Sequence, residues 1–204
     1  MEVKEAAVAY GNRHFSIEEY LAIENEAIEK SEYYMGEVFA MSGAKGQHNI
    51  ITSNLHYQLR KKLQGSSCRP FGSDLRIHIP SNTLFTYPDL SVICGDMISM
   101  NDDDMNFLNP SVIFEVLSPS TRGYDRIGKF ELYRDIATLR EYIMVDTARA
   151  YIESWHINEN GKWELNDYKK ITDSLVLPTL GIAVRLKDVY EGTKVMKLTN
   201  DSEQ

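Results

Sequence analysis

An α/β fold, with a mixed β-sheet flanked by helices, follows from three features of this chain. Val112-Ile113-Phe114-Glu115-Val116-Leu117 is an apolar run broken by one carboxylate, the pattern of a strand covered on both faces. Gly46 to Leu63 carries Ile51, Leu55, Leu59 and Leu63 at four-residue intervals, the stripe of an amphipathic helix. Along the chain the order reads helix, strand, helix, several strands, helix, strand and hairpin, which suits one mixed sheet with helices packed on it.

The elements follow in order. Residues 1–13 read as a loosely held N-terminal tail. Ser16-Ile17-Glu18-Glu19 matches a capping box and opens a short helix to about Ile23, after which Glu24 to Glu32 is an unpatterned acidic stretch. Tyr33 to Ser42 reads as the first strand, broken by Gly43 and Gly46. The amphipathic helix ends on Arg60-Lys61-Lys62, cations that suit a helix C-terminus and are also able to touch phosphates. Asp74 to Ile79 alternates and predicts a strand with one polar face; Pro80 to Phe85 is a turn, and Pro88 to Cys94 a returning strand. Asn101 to Asp104 is a solvated loop without calcium-loop spacing. Ser118-Pro119-Ser120-Thr121 stops the central strand, a helix spans roughly Tyr124 to Ala137, and Glu141 to Asp146 resumes the sheet. Tyr151 to Ile157 and Trp163 to Tyr168 form a hairpin about Asn160-Gly161. Short strands within Val176 to Leu186 and a helical turn at Asp188 to Tyr190 complete the chain before a polar tail.

With 204 residues, 43% of them hydrophobic, the chain suits one domain with a real core, drawn at 14–198 with tails at 1–13 and 199–204. No apolar stretch nears the roughly twenty residues that span a bilayer, and Met1-Glu2-Val3-Lys4-Glu5 is charged, unlike a signal peptide. Cys68 and Cys94 lack metal-binding spacing and a disulfide framework, so a free-thiol, cytoplasmic protein is expected, with Cys94 a buried structural thiol. The formal charge of −8 argues against non-specific coating of nucleic acid, though not against a nuclease whose carboxylates bind cations.

Glu115 is the residue that carries chemistry. A carboxylate among β-branched and aromatic side chains stays ionised only if a cation or hydrogen-bond donors meet it. Asp89, opening the preceding apolar strand, stands beside Glu115 if the two strands are antiparallel neighbours and both side chains share a face. Mg²⁺ takes one or two carboxylates plus waters, and the backbone carbonyl of Val116 adds a third protein oxygen. Arg122, Arg126, Lys129 and Tyr133 recur at helical spacing, so one face offers cations to phosphate, a lysine to the attacking water and a phenol for orientation. The alternative is a surface helix whose Asp125 pairs with Lys129.

Pro88-Asp89, the block Glu115-Val116-Leu117-Ser118-Pro119-Ser120-Thr121, then Asp125, Lys129, Tyr133 and Glu141-Tyr142 resemble the Uma-type restriction endonuclease family of the PD-(D/E)XK nuclease superfamily. The resemblance runs from about Ser16 to Val189. It implies a restriction-endonuclease-like core, a central mixed sheet with the metal site where its strands diverge. It also implies Asp89 and Glu115 as metal ligands. Where the superfamily has a lysine two residues after the acid this chain has Leu117, and Lys129 of the following helix is the candidate replacement. Glu37 is either an early acid brought to the metal or a surface glutamate. Asp74 either joins the acids or caps a turn, and His48 is a base, a phosphate contact or a structurally paired histidine.

The function expected is a Mg²⁺-dependent endonuclease (Mn²⁺ as substitute) that hydrolyses DNA as a homodimer. Asp89 and Glu115 would hold the metal and Lys129 would orient water or stabilise the transition state. The alternatives are a catalytically inactive nuclease fold that binds nucleic acid or regulates, and a metal-free carboxylate pair of the glycosidase kind.

Overall fold

The structure is a computed structural model and describes residues 13–41, 43–117 and 128–196. The expected tails, the Ser118-Pro119-Ser120-Thr121 stop, the start of the helix at Tyr124, and the candidates Arg122 and Arg126 lie outside the described residues.

The first helix, α1 (Ile17–Glu26), begins on the expected capping box: the Glu19 N–H donates to Ser16 Oγ and the Ser16 N–H to Glu19 Oε2. It runs three residues past Ile23. The single strand expected at 33–42 is instead a hairpin of β1 (Ser31–Tyr34) and β2 (Glu37–Ala40). Its turn places Met35 and Gly36 at positive φ, and a Cβ on Gly36 would meet His14 Nδ1 at 2.6 Å, so only glycine fits. The amphipathic helix is α2 (Gly46–Lys62), with Ile51, Leu55 and Leu59 fully buried.

Eight further strands follow α2 in order. They are β3 (Cys68–Gly72), β4 (Arg76–Ile79), β5 (Leu84–Thr86), β6 (Leu90–Cys94), β7 (Asn106–Phe107), β8 (Val112–Leu117), β9 (Glu141–Asp146) and β10 (Ile152–Ile157). The short helix α3 (Phe130–Tyr133) precedes β9 and ends before Ala137. β11 (Trp163–Tyr168) closes the predicted hairpin with β10; β12 (Ser174–Leu177), β13 (Ile182–Arg185) and α4 (Leu186–Val189) complete the chain.

A six-stranded sheet has the order β11-β10-β9-β8-β6-β3, with β8 and β9 parallel and the other neighbours antiparallel. A five-stranded sheet, β2-β1-β5-β4-β7, lies against it, and β12 pairs with β13. The mixed sheet is the one expected; the second sheet was not. β8 is the keel. Val112, Phe114 and Val116 pack on one face with Ile51, Leu55 and Leu59 of α2, while Ile113 and Leu117 pack on the other with Phe130, Tyr133 and the five-stranded sheet. Period-2 alternation therefore places Glu115 on the second face, toward α3 and β1.

One expectation is sharpened and another corrected. β4 has the polar face expected, Arg76 and His78, but that face is buried like the other. Arg76 donates to Asn106 Oδ1 at 2.6 Å and Asn25 Oδ1 at 2.9 Å, and His78 stacks on Phe85 at 3.8 Å. Paired polar groups are tolerated in a core, and alternation alone does not reveal the pairing. The cysteines are not free thiols: Cys68 and Cys94 form a disulfide between register partners of β3 and β6. The two were separable as thiols only while β3 went unrecognised, and they no longer argue for a cytoplasmic setting. Among the described residues no helix is long and apolar enough to cross a membrane.

Candidate active site

The site forms where β6 and β8 part. Their ladder pairs Val92 with Val112, Ser91 with Ile113 and Leu90 with Phe114, and stops there. Beyond it β8 continues to Leu117 with β9 alone beside it. In the gap, Asp89 takes over the role of the missing strand: the Val116 N–H donates to Asp89 Oδ2 at 2.7 Å, and the Asp89 N–H points to Glu115 Oε2 at a long 3.4 Å. A strand residue projects its N–H and C=O to the same side, so the Val116 carbonyl faces this gap as well.

Asp89 is gripped from the α2 side. His48, in the first turn of that helix, brings Nε2 to 3.0 Å from Asp89 Oδ1, and the Thr52 hydroxyl donates to the His48 carbonyl at 3.0 Å. The position of His48 follows from the buried Ile51-Leu55-Leu59 stripe, which fixes the rotation of α2 against the sheet.

Glu115 is held from the other side. The Tyr133 O–H donates to Glu115 Oε1 at 2.8 Å, and Lys129 Nζ lies 3.4 Å from the same oxygen. Lys129 also reaches Glu32 Oε1 on β1 at 3.0 Å, and the Thr86 hydroxyl of β5 donates to that Glu32 oxygen. Burial first, then the charge of Glu115, pushes the Tyr133 phenol well above its ordinary pKa, so it remains a proton donor. Phe130, one residue after Lys129, is stacked on Tyr142 at 5.2 Å and packed against Trp155 and Trp163 at 5.1 and 5.2 Å. That aromatic cluster anchors α3, and α3 carries Lys129 and Tyr133 to Glu115.

Glu32 and Glu115 thus flank the Lys129 ammonium, and Asp89 meets Glu115 from the other side. Exposure is graded: the Asp89 side chain is 20% accessible while those of Glu115 and Lys129 are 5% and 9%. The cluster is more open to solvent at Asp89 than at Glu115 or Lys129. The donor set is all oxygen on that side, the Asp89 and Glu115 carboxylates and the Val116 carbonyl, which fits a hard dication. No group of three or more His, Cys, Asp and Glu among the described residues forms a ready cage. Mg²⁺ does not ask for one, since it keeps several waters.

The structure brings together Asp89, Glu115, Val116, Lys129, Tyr133 and His48 of the residues singled out in the sequence. It does not bring Glu37, which is exposed on β2, or Asp74, which is exposed and ion-paired with Lys30. Leu117, two residues after Glu115, is buried among Phe130, Tyr142 and Met144. Glu32 and Thr86 were missed. Alternation of Glu32 with Tyr33 ahead of the Met35-Gly36 turn was the available signal for the first, and the Thr86-Tyr87-Pro88-Asp89 continuity for the second.

The model of the Uma2 family, described as "putative restriction endonuclease", matches residues 17–187. The uncharacterized protein slr1290 of Synechocystis sp. (strain ATCC 27184 / PCC 6803 / Kazusa) is 35% identical over 177 residues, 87% of this chain and 92% of that one. The uncharacterized protein sll1609 of the same organism is 36% identical over 149 residues, 73% of this chain and 84% of that one. The crystal structure of a "putative nuclease belonging to DUF820" from Anabaena variabilis ATCC 29413 superposes with a TM-score of 0.69 at 18% identity, covering 86% of this chain and 97% of that one. At that identity the likeness concerns the fold.

Proposed function

The chain belongs to the Uma2 family, and on that premise we propose that it is a divalent-metal-dependent endonuclease that hydrolyses DNA phosphodiester bonds. The observation that carries the reading is the meeting of Asp89 and Glu115 across the parted strands, with Lys129 Nζ 3.4 Å from Glu115. Asp89, Glu115 and the Val116 carbonyl would hold Mg²⁺ or Mn²⁺, which when bound would acidify a water and offset charge on the phosphoryl group.

The chain's own residues do the remaining work. The Val116 N–H and His48 fix the Asp89 carboxylate, and Tyr133 and Lys129 fix that of Glu115. Glu32 and Thr86 hold the Lys129 ammonium in place beside Glu115. From there Nζ donates toward the attacking water and meets the negative charge that grows on the phosphoryl oxygens. Burial of Glu115, Lys129 and Tyr133 keeps the dielectric low, which strengthens each of these interactions. The ammonium beside Glu115 favours this reading over an inactive binding module, which Leu117 in the usual lysine position otherwise invites. Cutting both strands of a duplex calls for two such sites, and a homodimer supplies them.

Incubation of purified protein with supercoiled plasmid and Mg²⁺ or Mn²⁺ tests the proposal. Nicked and linear products are expected from the wild type and a loss of at least about a thousandfold from Asp89→Ala and Glu115→Ala, several kcal/mol of transition-state stabilisation. Circular dichroism should show both variants folded. Unchanged cleavage by either variant overturns the assignment.

A further inference from the structure

A trough runs along α2 away from the site. Its first part, about 640 Å³, is lined by Asn49, Thr52 and His56 of α2, by Phe71 and Gly72 at the end of β3, and by Leu90. Its second part, about 480 Å³, shares Ser53 and His56 with the first and continues past Tyr57, Arg60 and Pro70. Asn49, Ser53, Tyr57 and Arg60 recur at helical spacing on the face of α2 turned away from the buried stripe. The near end touches the site: Thr52, which lines it, donates its hydroxyl to the His48 carbonyl, and His48 Nε2 meets Asp89.

Charge and aromatic exposure sort along this trough. The far end carries Arg60, with Lys61 beside Tyr57, both exposed, on a chain whose formal charge is −8. Asp74, the acid at the near part, is neutralised by its ion pair with Lys30. Tyr57 leaves 61% of its surface in solvent, with Lys61 Nζ 5.8 Å from its ring centroid. An exposed ring among cations in a groove is the arrangement that binds unpaired nucleotides, through base stacking and phosphate contacts. From Asn49 to Arg60 the helix covers about 16 Å at ~1.5 Å per residue, the length of roughly five stacked nucleotides.

We propose that the α2–β3 trough is the substrate track: it holds an unpaired segment of DNA strand, stacked on Tyr57 and tied by Arg60, flanking the phosphate presented to Asp89 and Glu115. The proposal rests on the nuclease reading for what happens at the near end, but the binding it describes is measurable without cleavage.

Fluorescence anisotropy with a labelled single-stranded oligonucleotide and the matching duplex, in EDTA, tests it. The wild type is expected to prefer the single strand. Tyr57→Ala should weaken that binding roughly tenfold. Arg60→Ala should flatten the dependence of log affinity on log salt by about 0.7, the value for one single-strand phosphate contact. Both residues are exposed, and Mn²⁺ calorimetry on each variant checks that the metal site is intact. A wild type that binds this way but never cleaves supports the track and overturns the hydrolase reading. A wild type that cleaves, with Tyr57→Ala and Arg60→Ala binding and cleaving like it, overturns the track alone. Preference for duplex, or no binding to either oligonucleotide, also overturns it.

Discussion

Lys129 Nζ lies 3.4 Å from Glu115 Oε1, although the two residues sit on different elements and are 14 positions apart. The strand position from which the superfamily's lysine would reach the same carboxylate is filled by Leu117, buried in the core. On the proposed function, Lys129 supplies from the helix the ammonium that the resemblance would place at position 117. Aromatic packing of Phe130 makes this possible, because it holds the start of α3 over the end of β8.

The relocation predicts asymmetric consequences for two substitutions. Lys129→Met should lower cleavage by on the order of a hundred- to a thousandfold, the usual effect of removing one donor aimed at transition-state charge. The double change Leu117→Lys with Lys129→Met should not restore it, and should cost stability because a lysine replaces a packed leucine. Plasmid cleavage rates and urea unfolding measure both; recovery of activity in the double variant would refute the relocated role.

Tyr133→Phe removes the O–H that donates to Glu115 Oε1 at 2.8 Å without emptying the space its ring fills. A hydrogen bond to a charged group contributes about 1.5–3 kcal/mol, so unfolding in urea should shift by that order. Weaker Mn²⁺ binding by calorimetry should accompany it, since Glu115 loses its orientation. An unchanged urea midpoint and unchanged affinity would show that the phenol does not position Glu115.

Glu141 predicts a pH dependence of stability. It is fully buried at the head of β9; the Thr179 N–H donates to its Oε1, while Oε2 has no hydrogen-bond partner among the described residues. Burial raises its pKa above the ordinary 4.5. Both folded and unfolded states hold the proton below 4.5. As pH climbs from there through the raised folded value, the unfolded chain releases its proton first and stability falls. Glu141→Gln has no such titration, so its stability relative to wild type should grow across that window. Parallel pH profiles of thermal unfolding would contradict the assignment.

The disulfide predicts a redox dependence. Closing a loop of 26 residues between Cys68 and Cys94 is worth about 3.5 kcal/mol by loss of unfolded-state entropy. Dithiothreitol, or the double change Cys68→Ser and Cys94→Ser, should lower the urea midpoint accordingly. A midpoint indifferent to reductant would mean that the two thiols are not joined.

The sequence was most legible where one helix or strand sufficed to explain a pattern. The stripe Ile51-Leu55-Leu59 defined α2 because one face of a helix meets one core, and Val112 to Leu117 defined β8 because a strand buried on both faces is apolar throughout. The capping box at Ser16 and the hairpin around Asn160-Gly161 are local chemistry and were equally readable. β1 and β2 were fused into one strand because a turn at Met35-Gly36 leaves no apolar gap, and β3 went unseen because Cys68-Arg69-Pro70-Phe71-Gly72 has neither alternation nor β-branched residues.

By itself, the sequence determined that Glu115, if ionised in an apolar strand, needs a cation or hydrogen-bond donors beside it. It also determined that Asp89, Lys129 and Tyr133 were the side chains worth weighing against it. Only the tertiary structure decided who the partners are. Glu32 rather than Glu37 faces Lys129, His48 holds Asp89, and Cys68 meets Cys94. Strand order and register set those distances, and register is fixed by packing between segments far apart in the chain.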